Sequence, residues 1–574
     1  MNNISIRVLL LFIAITLASC GQQAEKTPSS QAENAAADTV YTNGKIYTVD
    51  EAQPWVEAVA IKDGKFIAVG SGNDVAEKIG DATSVVDLQG KLAIPGLIDP
   101  HNHAFEDYHS RNLAFSVKDT STPENILEEV KAYDENNPGE GWITGGIFPS
   151  GMFPGNSPGR QLLDAVVPDR PVCLADQSAH AWWCNTKALE ITGIMDASAE
   201  LPEGAIIDRD KDGVPKGTVR EHSIGFLRRS IPPIPHEEWL NTGRGFMQLF
   251  NSLGLTTIQI AAGNEAHLKA AGELQSNGEL SVRLVFALNF GYYDSPETKE
   301  EESAFVDRAS EYRSEFIDPG YIKIFMDGAP DGMTGWLLEP YVGTDNYGVG
   351  YFEPGELVTL YKNFTGRGVG IMSHATGNRS VREVLNAIEA TQQAFPNSSV
   401  RHHVTHNGMI HPDDIGRFKK MGIAIDVAPT MPITPPLRAM MEPLIGKAGV
   451  DNYADARAAI DSGAYVAIGS DWQVSFLDPW KRIAFHVSRM DPDNLDQGLL
   501  NAEKALTVGE AIKAYTLGPA YAMNKDSETG SIEVGKYADM IVLDHNIFEV
   551  KPLQIADTKV LTTVFAGRVV HEAK

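Results

Sequence analysis

Short apolar runs that alternate with helical stretches fill the middle of this 574-residue chain, and they constrain its fold most strongly. The runs are rich in β-branched residues and cover residues 94–99, 255–260, 283–288, 322–326, 369–373, 403–405, 424–428 and 466–469. Helical periodicity separates several of them, for example over residues 381–393, 413–421 and 454–461. Eight buried strands that alternate with helices predict an α/β fold, a (β/α)8 TIM-like barrel.

The interval between the first two runs is far too long for a single helix, so we expect a large insertion over about residues 105–242. It contains Pro- and Gly-rich loops and the pair Trp182-Trp183. Insertions at this position lie over the mouth of the barrel. We therefore predict a lid that shapes the substrate pocket.

The two ends of the chain share a different pattern, in which short alternating strands are joined by tight turns. Asn43-Gly44 and Asp63-Gly64 are strong hairpin signals near the start, and the alternation returns from Gly530 onward. We expect residues 39–92 and 525–574 to build one small β-sandwich. Residues 93–524 would then form the barrel with its insertion.

The first residues have the pattern of an export signal. Arg7 precedes an uncharged run over residues 8–18, which is too short to span a bilayer. The run ends in Leu17-Ala18-Ser19-Cys20-Gly21, which resembles a bacterial lipobox. The resemblance implies a signal peptide over residues 1–19 and a lipid on Cys20, with a plain secretory signal as the alternative.

Residues 20–38 are polar after Cys20 and are expected to form a flexible tether. The lipid would then anchor the protein to a bacterial membrane without a transmembrane helix. Because Gly21 is not the aspartate that favours inner-membrane retention, the resemblance implies the periplasmic face of the outer membrane in a Gram-negative source. The other two cysteines, Cys173 and Cys184, either form a disulfide outside the cytoplasm or remain buried thiols.

The net charge of the chain is −28, and its isoelectric point is near 4.9. Nucleic acid requires a basic face, so we expect no nucleic-acid partner. A small-molecule substrate is compatible with such a surface. The sequence carries no clear mark of an oligomeric state.

His101 and His103 follow the first apolar run with one residue between them. Alternate residues of a strand point the same way, and barrel active sites lie at the carboxyl ends of the strands. The pair is therefore a candidate pair of metal ligands, with a solvated turn as the alternative. His374, His406 and Asp471 close three later runs at the same end of the barrel, which favours the metal site.

This pattern resembles the amidohydrolase superfamily, which has His-x-His after strand 1, histidines after strands 5 and 6, and an aspartate after strand 8. A closer resemblance, to the amidohydrolase 3 (YtcJ-like) branch, covers the chain from about residue 39 to its end. The tracts that carry it are Arg170-Pro171-Val172 through His180 to Asn185-Thr186-Lys187-Ala188-Leu189, Ile322-Lys323-Ile324-Phe325-Met326-Asp327-Gly328, His374-Ala375-Thr376-Gly377-Asn378-Arg379 and Gly469-Ser470-Asp471-Trp472.

The resemblance implies a hydrolase that uses a metal-activated water to cleave a non-peptide C–N bond in an amide-type small molecule. The implied metal ligands are His101, His103, Lys323, His374, His406 and Asp471. They would hold one or two divalent ions, most simply Zn2+, although manganese and iron suit the same ligand types. Asp471 would act as general base and then as general acid. The implied substrate-binding residues are His180, Asp327 and Trp472.

Lys323 interrupts an otherwise apolar run, and a buried ammonium is costly unless it is paired or functional. In the superfamily a lysine at this place can react with carbon dioxide. The resemblance therefore implies a carboxylated Lys323 that bridges two metal ions. The alternative is a strand-end lysine that reaches solvent or pairs with Asp327.

Three departures from the family pattern leave the substrate open. Thr405 stands where a glutamate is usual, Ser178-Ala179 where Asp-Gly is usual, and Trp472-Gln473 where a small residue and a proline are usual. The same site would suit a lactone or ester hydrolase. A non-catalytic lipoprotein that binds a ligand or regulates is an alternative of a different class.

Overall fold

The structure of the protein is a computed structural model that describes residues 36–113, 115–118, 122–176, 181–196, 200–201, 205–291, 297–428, 435–472, 474–475 and 477–573. The predicted lipidation site Cys20 and the predicted substrate-binding residue His180 lie outside these ranges. Across the described ranges, no helix has both the length and the apolar character needed to cross a membrane.

The strands, in chain order, are β1 (Thr39–Thr42), β2 (Lys45–Tyr47), β3 (Trp55–Val56), β4 (Ala58–Lys62), β5 (Lys65–Gly70), β6 (Ser84–Asp87), β7 (Leu92–Pro95), β8 (Leu97–Asn102), β9 (Ile143–Phe148), β10 (Val172–Asp176), β11 (Ala181–Cys184), β12 (Ala205–Arg209), β13 (Pro215–Glu221), β14 (Leu255–Gly263), β15 (Arg283–Asn289), β16 (Ile317–Phe325), β17 (Gly370–Ala375), β18 (His403–His406), β19 (Ile425–Val427), β20 (Val466–Ile468), β21 (Met540–Leu543), β22 (Val560–Phe565) and β23 (Arg568–Glu572).

The α-helices are α1 (Gly72–Ala76), α2 (Ala104–Asn112), α3 (Pro123–Asn136), α4 (Arg160–Asp164), α5 (Thr186–Ile191), α6 (His222–Arg228), α7 (His236–Leu253), α8 (Glu265–Ser276), α9 (Lys299–Ala309), α10 (Pro354–Gly366), α11 (Asn378–Ala394), α12 (Pro412–Met421), α13 (Pro435–Asp451), α14 (Ala456–Asp461), α15 (Pro479–Ser488), α16 (Val508–Ala514) and α17 (Leu517–Ala522).

Eight parallel strands form one sheet in the order β20-β19-β18-β17-β16-β15-β14-β8. Each of the eight apolar runs overlaps one of these strands, so the predicted α/β barrel is confirmed. The strands are buried on both faces, as β14 shows along its whole length. Double burial explains why their sequences are continuous apolar runs rather than alternating ones.

The first predicted run, residues 94–99, is divided between two sheets. Its first part belongs to β7, which pairs with β2 and β21, and its last part belongs to β8 in the barrel. At the junction the Gly96 amide donates to the Asp539 carbonyl oxygen (3.0 Å), and a Cβ on Gly96 would lie 2.2 Å from Thr256 Oγ1. The prediction of one continuous strand is therefore wrong, because apolar character does not mark where a chain changes sheets.

Two other sheets pack face to face beside the barrel, in the orders β5-β4-β1-β6 and β23-β22-β21-β7-β2-β3. The second sheet combines strands from both ends of the chain. Tyr41, Ile46, Phe66, Met540 and Val564 belong to the buried apolar cluster between the two sheets. Burial of this shared face holds the chain ends together.

A buried ion pair joins the barrel to this sandwich. Arg283 begins β15, and its Nη1 lies 2.7 Å from Asp539 Oδ2, with side chains 2% and 1% exposed. The same carboxylate accepts hydrogen bonds from Thr529 Oγ1 and from the Ala566 amide, each at 2.8 Å. Loss of one partner would leave a buried charge uncompensated, so the pair fixes where the two parts meet.

The segment between β8 and β14 contains a sheet of its own, in the order β12-β13-β11-β10-β9. Trp182 and Trp183 lie in β11. The buried Trp183 ring packs against Phe148 and Phe153, with centroids 5.5 and 5.1 Å away. The insertion therefore has its own apolar core, while its role as a lid stays a prediction.

Cys173 in β10 and Cys184 in β11 form a disulfide. The two residues face each other in the antiparallel register, both are fully buried, and they are separated by 11 positions in the sequence. The structure therefore contains a disulfide rather than two buried free thiols.

Replacing Cys173 and Cys184 together by alanine is expected to lower the free energy of unfolding by about 3 kcal/mol, because the disulfide closes a short loop and restricts the unfolded chain. Urea unfolding followed by tryptophan fluorescence would measure the change in protein lacking residues 1–20. A reductant should destabilise the wild type and leave the double variant unaffected. Two titratable thiols in the unreduced, unfolded wild type would contradict the prediction.

Candidate active site

The six side chains predicted as metal ligands lie together at the carboxyl ends of the barrel strands. They are His101 in β8, His103 just after it, Lys323 in β16, His374 in β17, His406 in β18 and Asp471 after β20. Ligand atoms of His101, His406 and Asp471 lie within 4.8 Å of one another. Lys323 Nζ is 3.1 Å from His101 Nε2, His103 Nε2 is 3.4 Å from Asp471 Oδ1, and the ring centroids of His374 and His406 are 4.3 Å apart. The structure thus gathers all six residues, and their roles as ligands stay predictions.

His101 and His406 are hydrogen-bonded through their Nδ1 atoms, whereas the buried His374 Nδ1 approaches a carboxylate without a hydrogen bond among the described residues. The distances are 2.7 Å from His101 Nδ1 to Thr405 Oγ1, 3.2 Å from His374 Nδ1 to Asp327 Oδ1, and 2.5 Å from His406 Nδ1 to the Ala428 carbonyl oxygen. The Ala428 carbonyl oxygen only accepts, so the proton of His406 lies on Nδ1 and its Nε2 keeps its lone pair, whereas the Thr405 hydroxyl beside His101 can accept or donate. His406 Nε2 is buried and has no hydrogen-bond partner among the described residues. Such an orphaned nitrogen beside a carboxylate fits a bound divalent cation.

Burial also keeps these imidazoles neutral. It lowers the pKa of His101 and of His406 well below the ordinary value, and the positive charge of Lys323 adds to the effect on both. For His374, burial outweighs the opposing influence of Asp327 and lowers the pKa. The neutral form is the one that binds a metal.

Lys323 is fully buried in the middle of the cluster. Burial lowers the pKa of its ammonium to about 7, although the charges of Asp471 and Asp426 act in the opposite direction. Burial therefore favours the neutral amine of Lys323, which is the nucleophilic form.

Asp471 remains ionised in spite of its burial. Burial alone would raise its pKa, but the contact with His103 and the positive charge of Lys323 act in the opposite direction, and the pKa is lowered to about 2. Asp471 and His406 also have left-handed backbone conformations, with φ of 46° and 72°. Such conformations are uncommon outside glycine and concentrate at functional sites.

Asp99 fixes two of the candidate ligands, and sequence reasoning missed it. Its Oδ1 accepts from the Ser470 amide (2.9 Å), and its Oδ2 accepts from Ser470 Oγ (2.5 Å) and Asn102 Nδ2 (2.9 Å). The Asp471 amide in turn donates to the His101 carbonyl oxygen (2.9 Å). A carboxylate inside an apolar run was the signal that could have revealed it, because buried charge requires partners.

Trp472 and Asp327, which the sequence predicted to bind substrate, contact other residues of the protein in the described ranges. Trp472 is 8% exposed; its ring packs on Phe250 with 5.7 Å between centroids, and its carbonyl accepts from the His103 amide (3.0 Å). Asp327 is 1% exposed and accepts backbone hydrogen bonds from two neighbouring segments. Both support loops that carry candidate ligands, and their binding of substrate stays a prediction.

The chain matches known proteins along most of its length. Residues 84–571 match the model of a family described as the amidohydrolase family. YtcJ of Bacillus subtilis (strain 168), named as an amidohydrolase, is 27% identical over 93% of this chain and 99% of its own. The N-substituted formamide deformylase of Arthrobacter pascens is 26% identical over 93% of this chain and 98% of its own.

Solved structures agree on the fold. An uncharacterized metal-dependent hydrolase of Pyrococcus horikoshii OT3 superposes with a TM-score of 0.71 at 22% identity. The superposition covers 90% of this chain and 99% of that one. At this level of identity the likeness supports the architecture of barrel and sandwich.

The variant Thr405→Val keeps the shape of the side chain but removes the oxygen that holds His101 Nδ1. We expect metal affinity to fall roughly 10- to 100-fold, the usual cost of losing a group that orients a ligand. Titration of metal-free protein with Zn2+ against a chelating dye would measure it. Thr405→Ser, which keeps the hydroxyl, should bind nearly as well as the wild type. Equal affinity of Thr405→Val and the wild type would show that this contact is not needed.

Proposed function

Because this chain belongs to the amidohydrolase family, in its YtcJ-like branch, we propose that it uses zinc to hydrolyse a C–N bond in a small amide-type substrate, with Asp471 as general base and acid. The chain is a hydrolase that acts on carbon–nitrogen bonds other than peptide bonds, and its site suits a divalent metal. The observation that carries the proposal is the buried group of His101, His406 and Asp471, in which His406 Nε2 has no partner among the described residues.

Asp471 is the side chain that moves protons in the proposed reaction. It is ionised, and its Oδ1 lies 3.4 Å from the Nε2 atoms of both His101 and His103, so it is aimed at the centre of the cluster. It takes a proton from the attacking water and then gives it to the amine nitrogen as the C–N bond breaks. The histidines of the cluster would hold a divalent cation, which when bound would supply Lewis acidity to the water and the substrate carbonyl.

Lys323 decides whether the site holds one metal ion or two. Its neutral amine can add to carbon dioxide, which forms an N–C bond and releases a proton. The resulting carbamate is an anion with two oxygen atoms, whereas an ammonium has no lone pair to offer a cation. Full burial and a lowered pKa both favour the amine that this addition requires, and they support a carboxylated Lys323.

The proposed substrates are N-formyl and N-acyl amines, with N-formyl amines tested first. The support is the Arthrobacter pascens relative, whose name states that it deformylates N-substituted formamides and which aligns along 93% of this chain. Thr405, in contact with a candidate ligand, departs from the family pattern, so a panel of substrates is needed.

We further propose that the enzyme works outside the cytoplasm, attached to a bacterial membrane by a lipid on Cys20. The support is the sequence Leu17-Ala18-Ser19-Cys20 and the disulfide of Cys173 with Cys184, since disulfides persist in oxidising compartments.

The variant Asp471→Asn tests the mechanism in protein lacking residues 1–20. We expect kcat to fall roughly 100- to 10,000-fold, because the amide cannot accept the proton from water. Hydrolysis would be followed on N-formyl amines, N-acyl amino acids, cyclic amides and lactones, together with the metal content of both proteins. A wild type without metal, or a variant that hydrolyses as fast as the wild type, would refute the proposed function. The best substrate of the wild type would identify the subclass.

The variant Cys20→Ala of the full chain tests the anchor. The wild type should be found in the membrane fraction, and the variant should not be lipidated, because the acylated thiol is missing. Fractionation with a clickable fatty acid as label would measure both. Unlabelled wild type, or a variant that stays in the membrane fraction, would argue against lipidation of Cys20.

A further inference from the structure

Arg482 is a buried cation that lies away from the candidate metal centre, in α15 on the outside of the barrel. The residue is 2% exposed. Its Nη2 donates to the Leu477 carbonyl oxygen at 3.1 Å, whereas Nε and Nη1 are buried and have no hydrogen-bond partner among the described residues. A guanidinium keeps its charge in proteins, and a buried charge is costly unless an opposite charge accompanies it.

Two further side chains with unpaired polar atoms lie beside this guanidinium. His486 is one helical turn later in α15, so its side chain projects from the same face of the helix as Arg482. The ring centroid of Tyr515, which follows α16, is 5.5 Å from Arg482 Cζ. Both residues are 1% exposed. In the part of the chain that the structure describes, both imidazole nitrogens of His486 and the Tyr515 hydroxyl oxygen are buried without a partner.

These three side chains together carry one positive charge. Burial lowers the pKa of His486 to about 3, and the charges of Arg489 and Arg482 add to this effect, so the imidazole is neutral near neutral pH. Burial raises the pKa of Tyr515, so its hydroxyl keeps the proton and can donate it. The group therefore combines a single guanidinium charge with neutral O–H and N–H donors.

Two carboxylates influence the group through their charge but are bonded elsewhere. Asp99 and Asp478 both act on the Tyr515 hydroxyl, in the direction opposite to Arg482. Asp99 accepts from the amide and the hydroxyl of Ser470. Asp478 caps the first turn of α15 and accepts from a backbone amide there at 2.9 Å. Neither carboxylate is hydrogen-bonded to Arg482 within the described ranges.

We propose that Arg482, His486 and Tyr515 form a buried binding site for a small monovalent anion. A negative charge compensates the guanidinium, and the N–H and O–H groups donate to it. The single positive charge matches a monovalent ion rather than sulfate or phosphate. Buried water would pair the polar atoms as well, but it would leave the guanidinium charge uncompensated.

The site connects to the barrel through the backbone of Tyr515. Its carbonyl oxygen accepts from the Ile98 amide in β8 at 2.8 Å. An anion that binds only the folded protein stabilises that state by mass action. Occupancy of the site is therefore expected to raise the thermal stability of the chain.

The first test measures the unfolding temperature of the full chain in non-ionic detergent. Chloride would replace gluconate, an anion too large for a buried site, at constant ionic strength. We expect Tm to rise by roughly 1–3 °C and then to level off, as binding to one class of site requires. Formate would be titrated in the same way, which distinguishes a halide from a carboxylate as the preferred anion.

Three variants locate the effect. Arg482→Met keeps much of the apolar volume but removes the charge, and its Tm should not depend on either anion. Tyr515→Phe removes only the hydroxyl, and the half-saturating anion concentration should rise roughly tenfold, the usual cost of losing one hydrogen bond to a charged group. Lys481→Met is the matched control on the same helix. Lys481 pairs with Asp493 at 2.6 Å, and its variant should respond to both anions as the wild type does.

A second measurement shows directly where the anion binds. Crystals of the wild type would be soaked in bromide, and anomalous difference density would be calculated. We expect a peak in contact with Arg482 Nη1 and with the Tyr515 hydroxyl. The peak should be absent from crystals of Arg482→Met.

The outcomes decide the proposal whether or not the chain hydrolyses an amide. A wild-type Tm that is equal in gluconate, chloride and formate overturns it, as does an equal anion response in Arg482→Met and the wild type. Density for water beside Arg482, without an anomalous signal after the bromide soak, also overturns it. If Arg482→Met does not fold, Tyr515→Phe and the bromide peak in the wild type decide.

Discussion

The closure of the barrel between its first and last strands is the constraint on which the rest of the site depends. β8 and β20 meet through the Asp99 side chain, which accepts from the Ser470 amide and hydroxyl, and through the amide of Asp471, which donates to the His101 carbonyl. His101 in β8 and the carboxylate of Asp471 after β20 are therefore neighbours, because the barrel closes between these two strands. If the contacts between β8 and β20 were broken, Asp471 and the neighbouring imidazoles would separate.

Closure of the barrel also explains how two residues at the carboxyl ends of its strands keep a strained backbone conformation. Asp471 and His406 have positive φ, a conformation that costs free energy and needs surrounding contacts to hold it. Those contacts are present: the Asp471 amide is bonded to β8, and His406 Nδ1 is bonded to the Ala428 carbonyl after β19. Buried hydrogen bonds between strands therefore offset the local strain and aim both side chains at one point.

The sequence was sufficient to predict the barrel and the proximity of the six candidate ligands, because both follow from local patterns. A doubly buried strand is an apolar run, and a residue that closes such a run must lie at the barrel's carboxyl edge. The groups behind the ligands were not predictable in this way. Thr405 meets His101 across 304 positions, and only the strand order makes them neighbours. The division of the first run at Gly96 likewise depends on Thr256 and Asp539, which are remote in the sequence.

The charge within the cluster limits the chemical state of Lys323. Its Nζ lies 3.1 Å from Nε2 of His101, a candidate metal ligand. An ammonium at that place would oppose a divalent cation, and the repulsion would be large because the group is fully buried and poorly screened. The carbamate proposed for Lys323 would reverse the sign of the charge and could offer its oxygen atoms to the cation. The proposed carboxylation of Lys323 and metal occupancy would therefore be linked by electrostatics, and each would stabilise the other.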